Sequence, residues 1–190
     1  MMTSWMRKGC RAAFVSLLVP ALVLAAQAMA GESVAGEAPF GDRVSAALFN
    51  YTRASPFIAS AGTLGEGGVA EAKALGFKTI VDLRTAEEGT VIEKVEAMGL
   101  GLRYVNLPVA GGPPSDEQVA RFRAIAEDAS NFPVLVHCAA GNRVGALWAL
   151  YRAGRDVPAE VAVDEGRTLG LRPNREKAVR ARLGLPPPTR

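Results

Sequence analysis

Val134-Leu135-Val136-His137-Cys138-Ala139-Ala140-Gly141-Asn142-Arg143-Val144-Gly145-Ala146-Leu147-Trp148 is the stretch that decides the fold. Pro133 to His137 is a short, branched, apolar run of strand length. From Val144 onward the apolar positions Val144, Leu147, Trp148 and Tyr151 recur at helical spacing. A buried strand therefore feeds directly into a helix through Cys138 to Arg143. The first amides of a helix have no carbonyl partner inside it, and the helix dipole adds partial positive charge, so such a turn suits an anion. A Cys held there beside a guanidinium is expected to be available as a thiolate nucleophile. Gly141 lets the backbone curl toward a ligand, and Arg143 offers a planar fork for two oxygens. On this reading Cys138 attacks, the backbone of Ala139, Ala140, Gly141 and Asn142 holds the anion, and Arg143 orients it and neutralises developing charge. The alternative is a small buried hydrophobe followed by a solvated Arg. A Cys at a strand-to-helix turn with Gly and Arg behind it argues for chemistry.

Working outward, short apolar runs alternate with amphipathic helices. Phe57-Ile58-Ala59 reads as a short strand, Lys78 to Leu83 as a buried one, and Leu102 to Leu107 as another. Glu66 to Leu75 reads as a helix stopped by Gly76. Glu87 to Met98 reads as a second, with Ile92, Val95 and Met98 on one face. Pro108 to Pro114 is a Pro/Gly loop. Ser115 with Gln118 three positions on forms a capping box for a helix burying Val119, Phe122 and Ala126. Two more helices are expected near Ala159–Leu169 and Arg175–Leu183, the latter with a mixed, solvated charged face. Strands alternating with helices predict an α/β domain. Its central sheet should be mostly parallel, with four to five strands and helices on both faces.

Composition agrees with one globular domain: 190 residues, 49% hydrophobic and 22% charged. The formal charge of +3 is misleading. Arg7, Lys8 and Arg11 lie in residues 1–30, which contain no acid, and the remainder balances at zero. No global basic field remains for nucleic acid or an anionic membrane. Residues 1–30 read as a secretory signal: those three cations, the apolar run Ala12 to Ala26, and Ala28-Met29-Ala30 before Gly31 as a small-residue cleavage site. Cleavage after Ala30 would give an exported, periplasmic protein without a stable membrane anchor. The mature chain would comprise a flexible lead-in at 31–44, a catalytic domain at 45–184 and a Pro-rich tail at 185–190. It would keep one Cys, Cys138, and one His, His137, which excludes an intramolecular disulfide and a zinc cage of Cys and His. No metal or cofactor is expected. The expected partner is a small anionic substrate or phosphorylated ligand.

VLVHCAAGNRVGALWALYR resembles the active-site strand, loop and helix of the cysteine-dependent protein phosphatases, the dual-specificity type in particular. It is more similar still to the bacterial phosphatase-like domain first named from beta-lactamase-hydrolase-like proteins. Ile58 to Gly62, Ala74 to Arg84 and Arg103 to Val109 extend the resemblance, which covers roughly residues 45–170. It implies phosphate monoester hydrolysis through phosphocysteine, with His137 supporting the Cys loop by hydrogen bonding. Two departures stand out. The phosphatases usually separate Cys and Arg by five residues; here the gap is four, as in the bacterial domain. Such a short loop is also similar to that of the rhodanese-type sulfurtransferases, which carry sulfur as a Cys persulfide. Dual-specificity phosphatases further supply an upstream Asp as general acid, but Leu107 to Gly112 contains no carboxylate. Asp116 and Glu117 are the remaining candidates, although acids in a first helical turn are favoured for capping alone. Three readings stay open: a phosphatase, a sulfurtransferase working through a Cys138 persulfide, and a non-catalytic anion-binding module.

Overall fold

The computed structural model describes residues 42–188. The signal segment and most of the lead-in lie outside them. Five short strands, β1 (Thr52–Ser55), β2 (Ile58–Ala61), β3 (Thr79–Asp82), β4 (Arg103–Asn106) and β5 (Val134–His137), form one sheet in the order β1-β2-β5-β3-β4. All neighbours are parallel except β1 with β2. The α/β reading holds. The sequence reading did not anticipate β1: TRAS lacks an apolar run, because this edge strand is only half-buried. Helices α1 (Gly68–Ala74), α2 (Thr90–Gly99), α3 (Asp116–Ala126), α4 (Asn142–Ala153), α5 (Ala159–Thr168) and α6 (Pro173–Arg182) complete the fold. None of the described helices is long and apolar enough to cross a membrane.

Central β5 is buried along its whole length, and period two sorts its side chains. Val134, Val136 and Cys138 face a core shared with Phe122 and Ile125 of α3 and with Leu147, Trp148 and Tyr151 of α4. Leu135 faces the opposite core, with Val69 and Ala72 of α1, Phe77 and Ile80. The α3 capping box forms as expected: Ser115 N donates to Gln118 Oε1 at 2.7 Å, and Gln118 N to Ser115 Oγ at 3.2 Å. Helix α4 is buried from Val144 to Tyr151 because α5 and α6 cover its outer side. The α4–α5 crossing is tight. A Cβ on Gly145 would sit 2.3 Å from Gly166 O and 2.5 Å from Leu171 N.

Two expectations are corrected. Helix α2 is turned over: Ile92, Val95 and Met98 are 80%, 68% and 60% exposed, while Glu93 is buried. The cause is a polar demand beneath the helix, where Arg84 and His137 need a carboxylate. The C-terminal helix is solvated on one side only, with Asn174, Lys177 and Arg182 exposed. Glu176, Val179 and Arg180 are buried, Leu185 packs against the same core, and Arg180 donates to Pro186 O and Glu160. At the other end, Asp42 accepts from Tyr51 and Arg53, and Val44 packs on the core, so the packed body reaches into the expected lead-in.

Candidate active site

The turn after β5 is held by its carbonyls. Ala139 O accepts from Thr63 N at 3.1 Å and Thr63 Oγ1 at 3.0 Å, and Ala140 O accepts from Asn50 Nδ2 at 3.4 Å. In a planar trans peptide the N–H points opposite its carbonyl, so the amides of Ala140 and Gly141 turn inward. Gly141 N indeed donates to Cys138 Sγ at 3.2 Å. The amides of Ala139, Ala140, Asn142 and Arg143 donate to no acceptor among the described residues. Gly141 has φ 86°, and a Cβ there would lie 2.8 Å from Leu169 O, so the turn requires glycine twice over. Cys138 is free and 1% exposed, so only a small group that sinks into the loop can reach its sulfur. Asn142 presents its side chain elsewhere: Oδ1 accepts from Arg172 N at 2.9 Å and Nδ2 donates to Asn174 Oδ1 at 3.1 Å, fastening α6 to the loop.

Arg143 is fixed by a residue the sequence reading passed over. Its Nη1 and Nη2 donate to Glu88 Oε2 at 2.7 Å and Oε1 at 2.6 Å, and Nη1 also donates to Leu83 O and Val109 O. The Nε of Arg143 makes no hydrogen bond to a described residue. The Nε edge of the fork is thus left for a ligand. The Arg143 hydrogen bonds hold the Glu88 carboxyl down to about 2, and the Glu88 bonds in turn raise the Arg143 pKa, with the nearby Cys138 sulfur contributing. Glu88 ends the 3-10 turn Ala86–Glu88, and its Oε2 accepts from Thr85 N at 2.8 Å. Thr85-x-x-Glu88 is a capping-box pattern and was the available signal.

A second guanidinium, Arg175 of α6, comes to the same place. Its Nη2 donates to Ala110 O at 3.2 Å, next along the chain from the Val109 carbonyl that Arg143 uses. Its Nε and Nη1 are buried without partners among the described residues. Nothing in the sequence of α6 distinguishes Arg175 from its neighbouring cations.

His137 is fully buried on the opposite face of the sheet from Cys138. Its Nε2 lies 2.7 Å from Glu93 Oε1 and 3.6 Å from Asp82 Oδ1. The first contact is close but does not have hydrogen-bond geometry, since neither atom has a hydrogen-bond partner among the described residues. His137 therefore meets carboxylates under the sheet and makes no hydrogen bond to the Cys loop. Asp82, Glu93 and His137 bring ligand atoms close enough together for a metal ion. Arg84 already supplies the cation there, donating to Asp82 at 2.7 Å and Glu93 at 2.6 Å from Nη2. Burial pushes the Asp82 carboxyl up, but Arg84, His137 and Tyr104 leave it below its ordinary value. The carboxylate that α2 contributes to this cluster is Glu93.

The general-acid candidates are not brought to the loop. Asp116 pairs with Arg182 in a cleft of about 430 Å³ between α3, α4 and α6, and Glu117 is exposed without a partner among the described residues. The first turn of α3 meets the end of α6, where Arg182 donates to Pro114 O and Asp116.

Residues 54–180 match the family model described as DSP-PTPase phosphatase fused to NAD+ kinase. The chain belongs to that family. The probable NAD kinase 2 of rice chloroplasts (Oryza sativa subsp. japonica) is 40% identical over 85 residues, 42% of this chain. The chain spans only 9% of the length of that relative. Among solved structures, a DUF442 protein of Shewanella putrefaciens CN-32 is 23% identical, covering 71% of this chain and 93% of that one, with a TM-score of 0.56. TpbA of P. aeruginosa, solved with pTyr, is 21% identical, covering 80% of this chain and 90% of its own, with a TM-score of 0.58. At such identities the likeness is one of fold. Family and fold agree on a phosphatase domain of the dual-specificity and tyrosine-phosphatase type.

Proposed function

We propose that this phosphatase-family chain hydrolyses phosphate monoesters, aryl esters above all, through a phosphocysteine on Cys138. The observation that carries the reading is the orientation of the Cys loop. Its carbonyls are bonded outward to Thr63 and Asn50, while free amides and the Nε edge of Arg143 surround Cys138 Sγ. Those donors match the equatorial oxygens of a phosphoryl group in flight. The Cys138 thiolate forms an S–P bond as the P–O bond to the leaving phenolate breaks. Water then attacks phosphorus, the S–P bond breaks, phosphate leaves, the thiolate is restored, and the water proton passes to solvent.

Among the described residues, neither Glu88 nor the general-acid candidates Asp116 and Glu117 stand ready to protonate the leaving oxygen. Glu88 is held ionised by Arg143, and Asp116 is paired with Arg182. The rate should therefore depend steeply on leaving-group acidity: aryl phosphates with acidic phenols turn over, and phosphoserine-like alkyl esters barely react. Mass spectrometry of the acid-quenched enzyme after an aryl phosphate pulse should find one phosphoryl group on Cys138, absent in Cys138→Ser. A chain that instead gains one sulfur atom from thiosulfate and never a phosphoryl group is a sulfurtransferase, and the proposal falls.

A further inference from the structure

The Cys loop carries a charge imbalance that Arg143 does not correct. Glu88 engages both terminal nitrogens of Arg143 and neutralises it, and the amides bring only partial charge. Arg175 makes no ion pair among the described residues, and its single hydrogen bond goes to Ala110 O. Its Nε and Nη1 remain shut away from solvent without acceptors among the described residues, an arrangement that costs free energy until an anion arrives. Its position is built rather than incidental. Asn142, inside the loop, accepts from Arg172 N through its Oδ1 and donates from its Nδ2 to Asn174 Oδ1, gripping the chain on either side of Pro173, and Asn174 Oδ1 also accepts from Arg175 N at 3.0 Å.

We propose that Arg175 is a second anion-binding side chain of this site, supplying the uncompensated positive charge that selects a dianionic oxyanion over a monoanionic one. The inference rests on the reading of the Cys138 loop as an anion cradle. Burial, and then the neighbouring Arg143, depress the Arg175 pKa while the Cys138 sulfur opposes them, which places all three within electrostatic reach. Arg143 is tied to Val109 O and Arg175 to Ala110 O, so two consecutive carbonyls of the Pro108 to Pro114 loop hold the two cations. An incoming phosphate dianion gives the Arg175 fork the acceptors it lacks.

The test uses tungstate and perrhenate, tetrahedral oxyanions of similar size carrying two charges and one, and reads their protection of Cys138 against iodoacetamide in the full chain. Wild type should be protected by tungstate at far lower concentration than by perrhenate. Losing a charge-assisted contact in Arg175→Gln should raise the half-protecting tungstate concentration about tenfold or more and perrhenate much less. Arg175→Met, which keeps the packing of the stem, serves as the second neutral variant and should behave alike. A merely structural Arg175 would shift both anions together. An unchanged tungstate-to-perrhenate ratio in either folded variant, with wild type still protected, overturns the role of Arg175 and leaves the cradle standing. Absence of protection by either anion in wild type overturns the cradle, and the inference with it.

Discussion

Glu88 settles what Arg143 can do. It is bonded through both oxygens to the two terminal nitrogens, so the guanidinium cannot swing, and only its Nε edge is offered to a ligand. Glu88→Gln keeps the shape but gives up the charge and one acceptor. We expect kcat/KM for an aryl phosphate to fall about tenfold, the scale of one charge-assisted bond, with little change in melting temperature at this half-exposed site. The pH behaviour follows from the same pair. A carboxyl depressed to about 2 stays ionised throughout the physiological range. The stabilisation it lends is complete above its unfolded value and is lost only as pH falls toward 2. An acid limb in the activity profile between pH 5 and 7 should therefore persist in Glu88→Gln; its disappearance would assign that limb to Glu88. Cys138 and Arg143 are legible in the sequence because one short turn carries both. Glu88 stands 55 residues from Arg143, and Arg175 comes from α6, which Asn142 fastens to the loop in a way no local pattern records.

At the scale of the element, α2 and α4 teach opposite lessons. In α4 the apolar spacing of Val144, Leu147, Trp148 and Tyr151 marks buried positions correctly, since the core cluster that receives them is apolar. In α2 the same kind of spacing marks the exposed face. Arg84 and His137 lie beneath it, and burying those without Glu93 would cost more than exposing Ile92 and Val95. Periodicity reports the hydrophobic side of a helix, and only the partner surface decides whether that side turns inward. The junction of α4 with α5 gives a sharper prediction. Gly145→Ala would drive a methyl group into the Gly166 carbonyl and the Leu171 amide, both backbone and unable to rotate away. We expect a loss of about 3 kcal/mol. In a chain of this size that lowers the melting temperature by about 6–12 °C by circular dichroism. A variant melting with wild type would show that the two helices can part.

At the scale of the whole molecule, the alternation of strands and helices was enough to give the sheet its type, and β5, the most apolar run, took the centre. The edge was not legible. Thr52–Ser55 pairs antiparallel to β2 with a register shift between Arg53 and Ser55, and half-buried polar strands leave little hydrophobic trace. The site, meanwhile, is gathered from almost the full length of the packed chain: Asn50 and Thr63 near one end, Glu88 between, Cys138 and Arg143 at the centre, Arg175 near the other end. Such a constellation has no working fragment. Fraying of α6 removes one cation, and release of the Asn50 segment frees a loop carbonyl, so a partly folded chain is also a disarmed one. Activity should therefore serve as a direct count of native molecules. In a urea titration, residual aryl phosphatase activity and the far-UV signal should fall on one curve with one midpoint. Activity lost well before the ellipticity would mean that α6 melts as a unit of its own, and that the proposed activity is switched off by denaturant before the chain unfolds.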